Sequence, residues 1–199
     1  MGTYKILNLY AGIGGNRKLW PDTLPDGRKV EITAVELDPK IAAVYKHFFP
    51  KDNVIVSDAH QYLLEHFKEF DFIWASPPCQ THSRINYYLN HASGLINPKY
   101  QDMGLWQEVL FLKNYFKKSW VVENVKPFYK PLIEPDFNCG RHYFWASKKM
   151  PGISVKPDFN RQNTVTENHG FDLSGIKLPN KRRVLRNCVA PEIGYNIRA

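Results

Sequence analysis

The amino-acid sequence predicts an α/β fold with a mostly parallel, doubly wound sheet and an antiparallel strand at its edge. Short apolar runs alternate with amphipathic helical stretches along the 199 residues, a pattern typical of βαβ units. Several runs end in glycine, an acid or a cysteine, and runs that are apolar on consecutive residues are typical of strands covered on both faces. The length allows one sizeable core, so we expect a single domain over residues 1–199.

The composition is that of a globular protein, with 43% hydrophobic and 14% aromatic residues. No apolar run approaches the ~20 residues that cross a bilayer, and no charged-then-apolar signal segment opens the chain. The three cysteines form neither a disulfide framework nor a zinc spacing. We therefore expect a reducing, intracellular setting and no membrane partner.

The net charge of +8 reflects 27 Lys and Arg against 19 Asp and Glu. Such an excess favours polyanionic partners, and nucleic acid above all. A merely solvated positive surface is the alternative.

The first predicted strand, residues 5–10, opens directly onto the glycine-rich turn Ala11-Gly12-Ile13-Gly14-Gly15. Glycines allow positive φ and let a ligand approach the backbone closely, so this turn is a candidate cofactor loop. Residues 16–20 can begin a helix before Pro21 interrupts it. The glycine spacing is not that of nucleotide-pyrophosphate binders, and an ordinary tight connection is the alternative.

Acids follow the second and third predicted strands, residues 30–35 and 53–56. Glu36 lies about 20 residues beyond the glycine turn, where doubly wound folds carry an acid for ribose hydroxyls. Asp58 could accept a hydrogen bond from an adenine amino group. Each acid could instead cap a following helix, predicted over residues 41–49 and 60–67, although Asp38 is the better cap for the first.

The fourth predicted strand, residues 70–75, ends in Ser76-Pro77-Pro78-Cys79-Gln80. Both prolines have a fixed φ and no N–H, so they stop the strand and place the thiol just past its carboxyl end, where open α/β sheets bind ligands. Cys79 is therefore a candidate nucleophile. The alternative is a small buried hydrophobe.

The stretch 81–104 is long, polar and aromatic, without a clean period. Loops of this length are usually functional or disordered, and directly after Cys79 this one looks like a lid. A helix follows over residues 105–116, with Trp106 expected in the core rather than stacked on a ligand.

Glu123 lies near the end of the fifth predicted strand, residues 120–125. Consecutive βα units bring their strand ends to one edge, so Glu123 should share a rim with Cys79 and could donate a proton there. A structural pair with Lys126 is the alternative. Beyond it we predict a sixth strand over 139–147, a loop that can hold a short hairpin over 148–180, and an amphipathic helix over 184–194.

These pieces, in this order, resemble the C5-cytosine methyltransferases over nearly the whole chain. The glycine turn is similar to that family's S-adenosylmethionine loop, Pro77-Pro78-Cys79-Gln80 to its nucleophile motif, and Glu123-Asn124-Val125 to its catalytic-acid motif. The resemblance implies a Rossmann-like S-adenosylmethionine-dependent methyltransferase fold. It also implies the cofactor-binding residues Tyr10, Ala11, Gly12, Ile13, Gly14, Gly15, Glu36, Leu37, Asp58, Ala59, Pro77, Asn187 and Val189.

The resemblance further implies how the reaction proceeds. Cys79 would add to carbon 6 of cytosine, Glu123 would give a proton or a hydrogen bond to ring N3, and Arg141 would hold O2. The target base would be flipped out of a duplex. The expected nucleic-acid contacts are Gln80, Ser83, Arg84, Lys181, Arg182 and Arg183, with no metal.

DNA is the expected substrate of a monomeric enzyme. The same chemistry on transfer RNA is one alternative, and a non-catalytic nucleic-acid or cofactor-binding homologue is another. Retention of both Cys79 and Glu123 argues against the non-catalytic reading, because binding alone needs neither.

Three features depart from the family's usual pattern. Asn8 and Tyr10 replace the usual acid and phenylalanine, and Arg141 is the one arginine kept in a segment that normally has two. Residues 148–180 form a reduced loop region where the family carries a large target-recognition domain, as in compact phage-encoded members. We therefore expect little sequence reading, a possible role for a protein partner in specificity, and a location in the cytoplasm of a prokaryotic cell or bacterial host.

Overall fold

A computed structural model describes residues 2–89, 93, 100–148 and 169–198. Within these residues one sheet has the strand order β3-β2-β1-β4-β5-β7-β6. The strands are β1 Thr3–Leu9, β2 Lys29–Glu36, β3 Asn53–Val56, β4 Phe72–Ala75, β5 Ser119–Val125, β6 Phe137–Cys139 and β7 His142–Ala146. The first five in the spatial order run parallel, and β7 pairs antiparallel with both β5 and β6. The predicted fold class is confirmed, antiparallel edge included.

The helices are α1 Pro39–Phe48, α2 Ala59–His66, α3 Arg84–Tyr87, α4 Gly104–Tyr115, α5 Lys181–Arg186 and α6 Pro191–Arg198, with a 3-10 helix at Phe67–Glu69. Asp38 caps α1 as predicted, because its Oδ1 accepts a hydrogen bond from the backbone N–H of Lys40 at 2.8 Å. Asp58 caps α2 in the same way through Gln61. None of the helices in the described part of the chain is long and apolar enough to cross a membrane.

The sheet has a core on each face because alternate side chains of a strand point to opposite sides. In β4, Ile73 and Ala75 pack in a cluster with residues of α2 and α4, and Trp106 belongs to this cluster as predicted. Phe72 and Trp74 face the other way, toward Trp20 and α6. The sheet is therefore the middle of three layers.

The chain reverses its order of strands at β1, which lies between β2 and β4. Leu9, the last residue of β1, is in register with Ala75, the last residue of β4. Ligands of open α/β sheets bind beyond the carboxyl ends of the strands at such a switch point. The glycine turn after β1 and Cys79 after β4 therefore meet at the expected place.

Two predicted elements are divided in the structure. The predicted strand 139–147 is the β6–β7 hairpin, because Gly140 has a φ of +56° and reverses the chain in a conformation that costs glycine little. The predicted helix 184–194 is the pair α5 and α6, because Pro191 has no N–H to continue a helix and instead begins a new one.

The predicted helical start at residues 16–20 is a series of turns closed by hydrogen bonds such as Arg17 N to Gly14 O and Trp20 N to Arg17 O. Here the side chains of Asn16 and Arg17 are buried in contacts with Asn8 and Asp52, and these tertiary contacts override a local helical tendency. Parts of the predicted lid and of the reduced loop region, residues 90–92, 94–99 and 149–168, lie outside the described residues.

Candidate active site

Cys79 is held by backbone contacts on both sides. Asn124 of β5 donates its Nδ2 hydrogen to the carbonyl of Pro77 at 2.9 Å. After the thiol, the backbone N–H groups of His82 and Ser83 both donate to the Cys79 carbonyl at 3.1 Å. These bonds fix the backbone that carries a half-buried thiol at the end of β4.

Glu123 and Arg141 lie within electrostatic reach of this thiol. Burial and, to a smaller extent, the Glu123 carboxylate raise the pKa of Cys79 to about 11, against the opposing effect of the Arg141 guanidinium. The structure thus brings the three predicted catalytic residues together. Since the thiolate is the nucleophile, a thiol with this pKa must lose its proton as the reaction begins.

His142 is a site residue that was not predicted from the sequence. Its Nε2 lies 3.6 Å from Oε1 of Glu123, and both side chains are largely buried. Burial lowers the pKa of His142, Arg141 and Lys126 lower it further, and Glu123 opposes them, so a neutral imidazole stands beside the acid. The predicted alternative pair of Glu123 with Lys126 is not found, since the Lys126 ammonium instead approaches Asn138.

The glycine turn has a packed side and an open side. Tyr10, Gly12 and Gly14 have φ values of 55°, 55° and 88°. A Cβ on Gly14 would come 2.4 Å from the Phe49 ring, whereas one on Gly12 would meet nothing within 4 Å. The turn is therefore packed against Phe49, the residue that follows α1, and open at Gly12.

Glu36 joins the second strand to this turn. Its Oε2 accepts a hydrogen bond from the Gly12 N–H at 2.9 Å, and its Oε1 accepts one from the Asp38 N–H at 3.0 Å. Beyond the same strand ends, Leu37 is 67% exposed and Val56 is 53% exposed. Val56 was not predicted as a site residue. Its position at the end of β3, two residues before Asp58, is the feature of the sequence that could have indicated it.

The C-terminal segment packs directly on the glycine turn. A Cβ on Gly15 would lie 2.5 Å from the Val189 carbonyl oxygen and 2.8 Å from Cβ of Cys188. The predicted cofactor residues Asn187 and Val189 are thus brought to the turn from the far end of the chain, Asn187 exposed and Val189 buried. Ala11, Ile13 and Ala59 are buried in the cores beneath these turns.

Asn8, one of the departures from the family's pattern, has a structural reason. Its Oδ1 accepts a hydrogen bond from Asn16 Nδ2 at 2.8 Å, and its Nδ2 lies 3.4 Å from Asn16 Oδ1. Both side chains are buried. Two amides satisfy each other's donors and acceptors, which a buried carboxylate could not do.

The predicted nucleic-acid residues fall into two groups. Gln80, Ser83 and Arg84 follow Cys79. Ser83 precedes the first residue of α3 and makes no side-chain capping hydrogen bond, and the Arg84 Nε donates to the Pro127 carbonyl at 3.2 Å. Lys181, Arg182 and Arg183 begin α5. Arg182 and Arg183 are exposed, whereas the Lys181 ammonium donates to the carbonyl oxygen of Leu173, so it is less available to a phosphate.

Comparison with known proteins agrees with this geometry. The profile of a family described as "C-5 cytosine-specific DNA methylase" matches residues 4–138, more than half of the chain. The chain belongs to the C-5 cytosine-specific DNA methylase family. S-adenosylmethionine is the cofactor.

The similar proteins include enzymes that act on RNA. A human tRNA (cytosine(38)-C(5))-methyltransferase is 28% identical over 162 residues, which cover 77% of this chain and 40% of that enzyme. The enzyme of the same name from Spodoptera frugiperda is 38% identical over 90 residues, which cover 44% of this chain and 26% of that enzyme. The chain thus matches less than half the length of these two relatives.

Among solved structures, a Spodoptera frugiperda DNMT2 mutant aligns with a TM-score of 0.49 and 24% identity, covering 77% of this chain and 54% of that one.

The residues at these strand ends fit S-adenosylmethionine. The open side of the glycine turn at Gly12 leaves room for a ligand against the backbone, and Leu37 and Val56 expose apolar side chains suited to the faces of an adenine ring. Glu36 and Asp58 place carboxylates at the ends of β2 and β3, where they could accept hydrogen bonds from ribose hydroxyls and an adenine amino group.

Proposed function

We propose that this chain transfers a methyl group to carbon 5 of cytosine in nucleic acid, through a covalent bond between Cys79 and carbon 6. The observation that carries the proposal is the meeting of the Cys79 thiol with the charges of Glu123 and Arg141 on a backbone held by Asn124. When bound, S-adenosylmethionine supplies an electrophilic methyl group.

Carbon 5 of cytosine is a poor nucleophile until the ring loses its aromaticity. The thiolate of Cys79 adds to carbon 6, and the electron pair of the 5,6 double bond makes carbon 5 nucleophilic. Glu123 gives a proton or a hydrogen bond to N3, and Arg141 balances the charge that develops at O2. Carbon 5 takes the methyl group as the bond between that methyl and the sulfonium sulfur breaks, which leaves S-adenosylhomocysteine. A base then removes the carbon 5 proton, the double bond forms again, Cys79 leaves as the thiolate, and any proton given to N3 returns to Glu123.

DNA is the first substrate proposed, in keeping with the description of the family. Transfer RNA is the second, because the curated relatives described above carry the name of a tRNA methyltransferase. In either polymer a cytosine must leave its stack to meet a thiol at the end of β4. Arg182 and Arg183, both exposed, are proposed to contact the phosphates.

The experiment is methyl transfer from radiolabelled S-adenosylmethionine to duplex DNA, single-stranded DNA and tRNA by the purified protein. We expect label in one of these polymers, and the preferred one decides between the two substrates. Cys79→Ala should abolish transfer, whereas Cys139→Ala, which removes a thiol buried in the core, should retain it. Absence of label in every polymer would contradict the proposed enzymatic activity. Full activity of Cys79→Ala would exclude the covalent mechanism.

A further inference from the structure

Glu108 is a fully buried acid that has no part in the chemistry proposed above. It lies in α4 with 0% of its surface exposed. Its Oε1 accepts a hydrogen bond from the Tyr10 hydroxyl at 2.5 Å and lies 3.1 Å from Nδ1 of His60. Its Oε2 is buried and has no hydrogen-bond partner among the described residues.

The three residues of this cluster come from three separate segments around the cofactor pocket. Tyr10 begins the glycine turn, and His60 follows Asp58 and Ala59 in the first turn of α2. Glu108 lies one to two helical turns into α4. The start of that helix is in turn tied to the Cys79 loop, since the Asp102 N–H donates to the Thr81 hydroxyl at 3.0 Å.

Tyr10 needs a contact of this kind. Its φ of +55° is left-handed, a conformation that is unfavourable for a residue with a Cβ. Ala11, which follows Tyr10, lies in the glycine turn, and Glu36 accepts a hydrogen bond from the Gly12 N–H of that turn. A hydrogen bond at the far end of the Tyr10 side chain holds the ring, and with it the entrance to the glycine turn.

A buried carboxyl group at this position carries an unfavourable desolvation free energy. Burial raises the pKa of Glu108, the hydrogen bonds from Tyr10 and His60 oppose the rise, and the charge of Asp58 adds to it. An apolar side chain of similar volume would pack on the same face of α4 without the cost of desolvating a carboxyl group. Core stability alone therefore does not account for a carboxyl group with an unpartnered oxygen.

We propose that Glu108 is a positioning residue of the cofactor pocket, which holds the glycine turn through Tyr10 and the Asp58 turn through His60. With both turns fixed, the open side of Gly12 and the Asp58 carboxylate keep the separation that an adenosine group requires. The proposal rests on the proposed function only in taking these two turns as the cofactor site.

The test is the affinity of the 199-residue chain for S-adenosylhomocysteine, measured by calorimetry without any nucleic acid. A tenfold change in an equilibrium constant corresponds to ~1.4 kcal/mol. The loss of one buried hydrogen bond changes a free energy by about this amount. We expect Glu108→Leu and Tyr10→Phe each to weaken binding about tenfold, and the double variant to be no weaker than the worse single one. Glu108→Gln keeps an acceptor for the Tyr10 hydroxyl and should restore most of the affinity.

Val109→Ala is the matched control. It removes buried apolar volume from the same helix, in the cluster against which Tyr10 packs, but keeps the contacts of Glu108 with Tyr10 and His60. It should therefore lower the melting temperature and leave the affinity unchanged. Unchanged affinity in Glu108→Leu, additive losses in the double variant, or an equal loss of affinity in Val109→Ala would overturn the proposal.

The two proposals fail separately. A wild-type protein that binds no S-adenosylhomocysteine would overturn both the cofactor site and the role of Glu108. A wild-type protein that binds it but transfers no methyl group would overturn the proposed function, while the comparison of Glu108→Leu with Glu108→Gln would still decide the role of Glu108.

Discussion

Asn124 Nδ2 lies 2.9 Å from the carbonyl oxygen of Pro77, so the strand that carries the candidate acid also holds the backbone in front of the candidate nucleophile. Asn124 is 1% exposed, and its Oδ1 accepts from the Val125 N–H. One amide thus sets the position of two motifs that lie far apart in the sequence.

Removing this amide should impair the site more than the fold. Asn124→Ala leaves the Pro77 carbonyl without its donor, and an unmade buried hydrogen bond costs about 1–3 kcal/mol. We expect methyl transfer to fall by at least about tenfold while the protein remains folded by circular dichroism. Asn114→Ala is the control, because the amide it removes donates to the exposed Leu110 carbonyl of α4, and it should keep wild-type activity. Equal losses of activity in the two variants would contradict the positioning role of Asn124.

The reactivity of Cys79 should rise steeply with pH. Because burial and then Glu123 hold the pKa of its thiol at about 11, the rate of alkylation by iodoacetamide should grow about tenfold per pH unit between pH 7 and 10. Peptide mass spectrometry can follow this residue separately from the other two cysteines. A plateau below pH 9 would show that the pKa is not raised.

Charge variants should move that curve in opposite directions. Glu123→Gln removes a charge that raises the Cys79 pKa, so the curve should shift to lower pH. Arg141→Gln removes a charge that lowers the pKa, so it should shift the curve to higher pH. If neither variant moves the curve, the three residues are not in electrostatic contact in solution.

Two glycines of the same turn should respond differently to alanine. Gly14→Ala combines a φ of +88° with a Cβ 2.4 Å from the Phe49 ring, so it should markedly lower the melting temperature. Gly12→Ala has the space but a φ of +55°, so a smaller cost of about 1–2 kcal/mol is expected, together with weaker S-adenosylhomocysteine binding because the methyl group enters the open side. Equal thermal shifts in the two variants would contradict this division of the turn.

Asn8→Asp tests why an amide stands at the start of the first motif. A buried carboxylate lacks the donor that reaches Asn16 Oδ1, and its desolvation should raise the folded-state pKa above the unfolded value of about 3.9. The variant should therefore be less stable than wild type at pH 7, by about 1–3 kcal/mol, and should recover as the pH falls toward 4 and the acid is protonated. Denaturant titrations at the two pH values measure this; a loss that does not depend on pH would exclude the charge as its cause.

Local chemistry along the chain determined most of the architecture before any contact was known. Consecutive apolar residues indicated the strands of a covered parallel sheet, Asp38 before Pro39 indicated a helix start, and two prolines before Cys79 indicated a thiol just past a strand end. These signals span a few residues each, and backbone geometry and hydrophobic burial act over that range. Because parallel strands end at one edge, they were also sufficient to predict that Cys79 and Glu123 share a rim.

The tertiary structure alone decided which side chains meet at that rim. The hairpin at Gly140 pairs β7 antiparallel with β5 and so turns His142 toward Glu123. Tyr10 and Glu108 are 98 residues apart, and Gly15 meets Val189 across most of the chain. No local period encodes such contacts, because they depend on how the helices and the hairpin pack on the finished sheet, where the burial of whole faces outweighs the preferences of single residues.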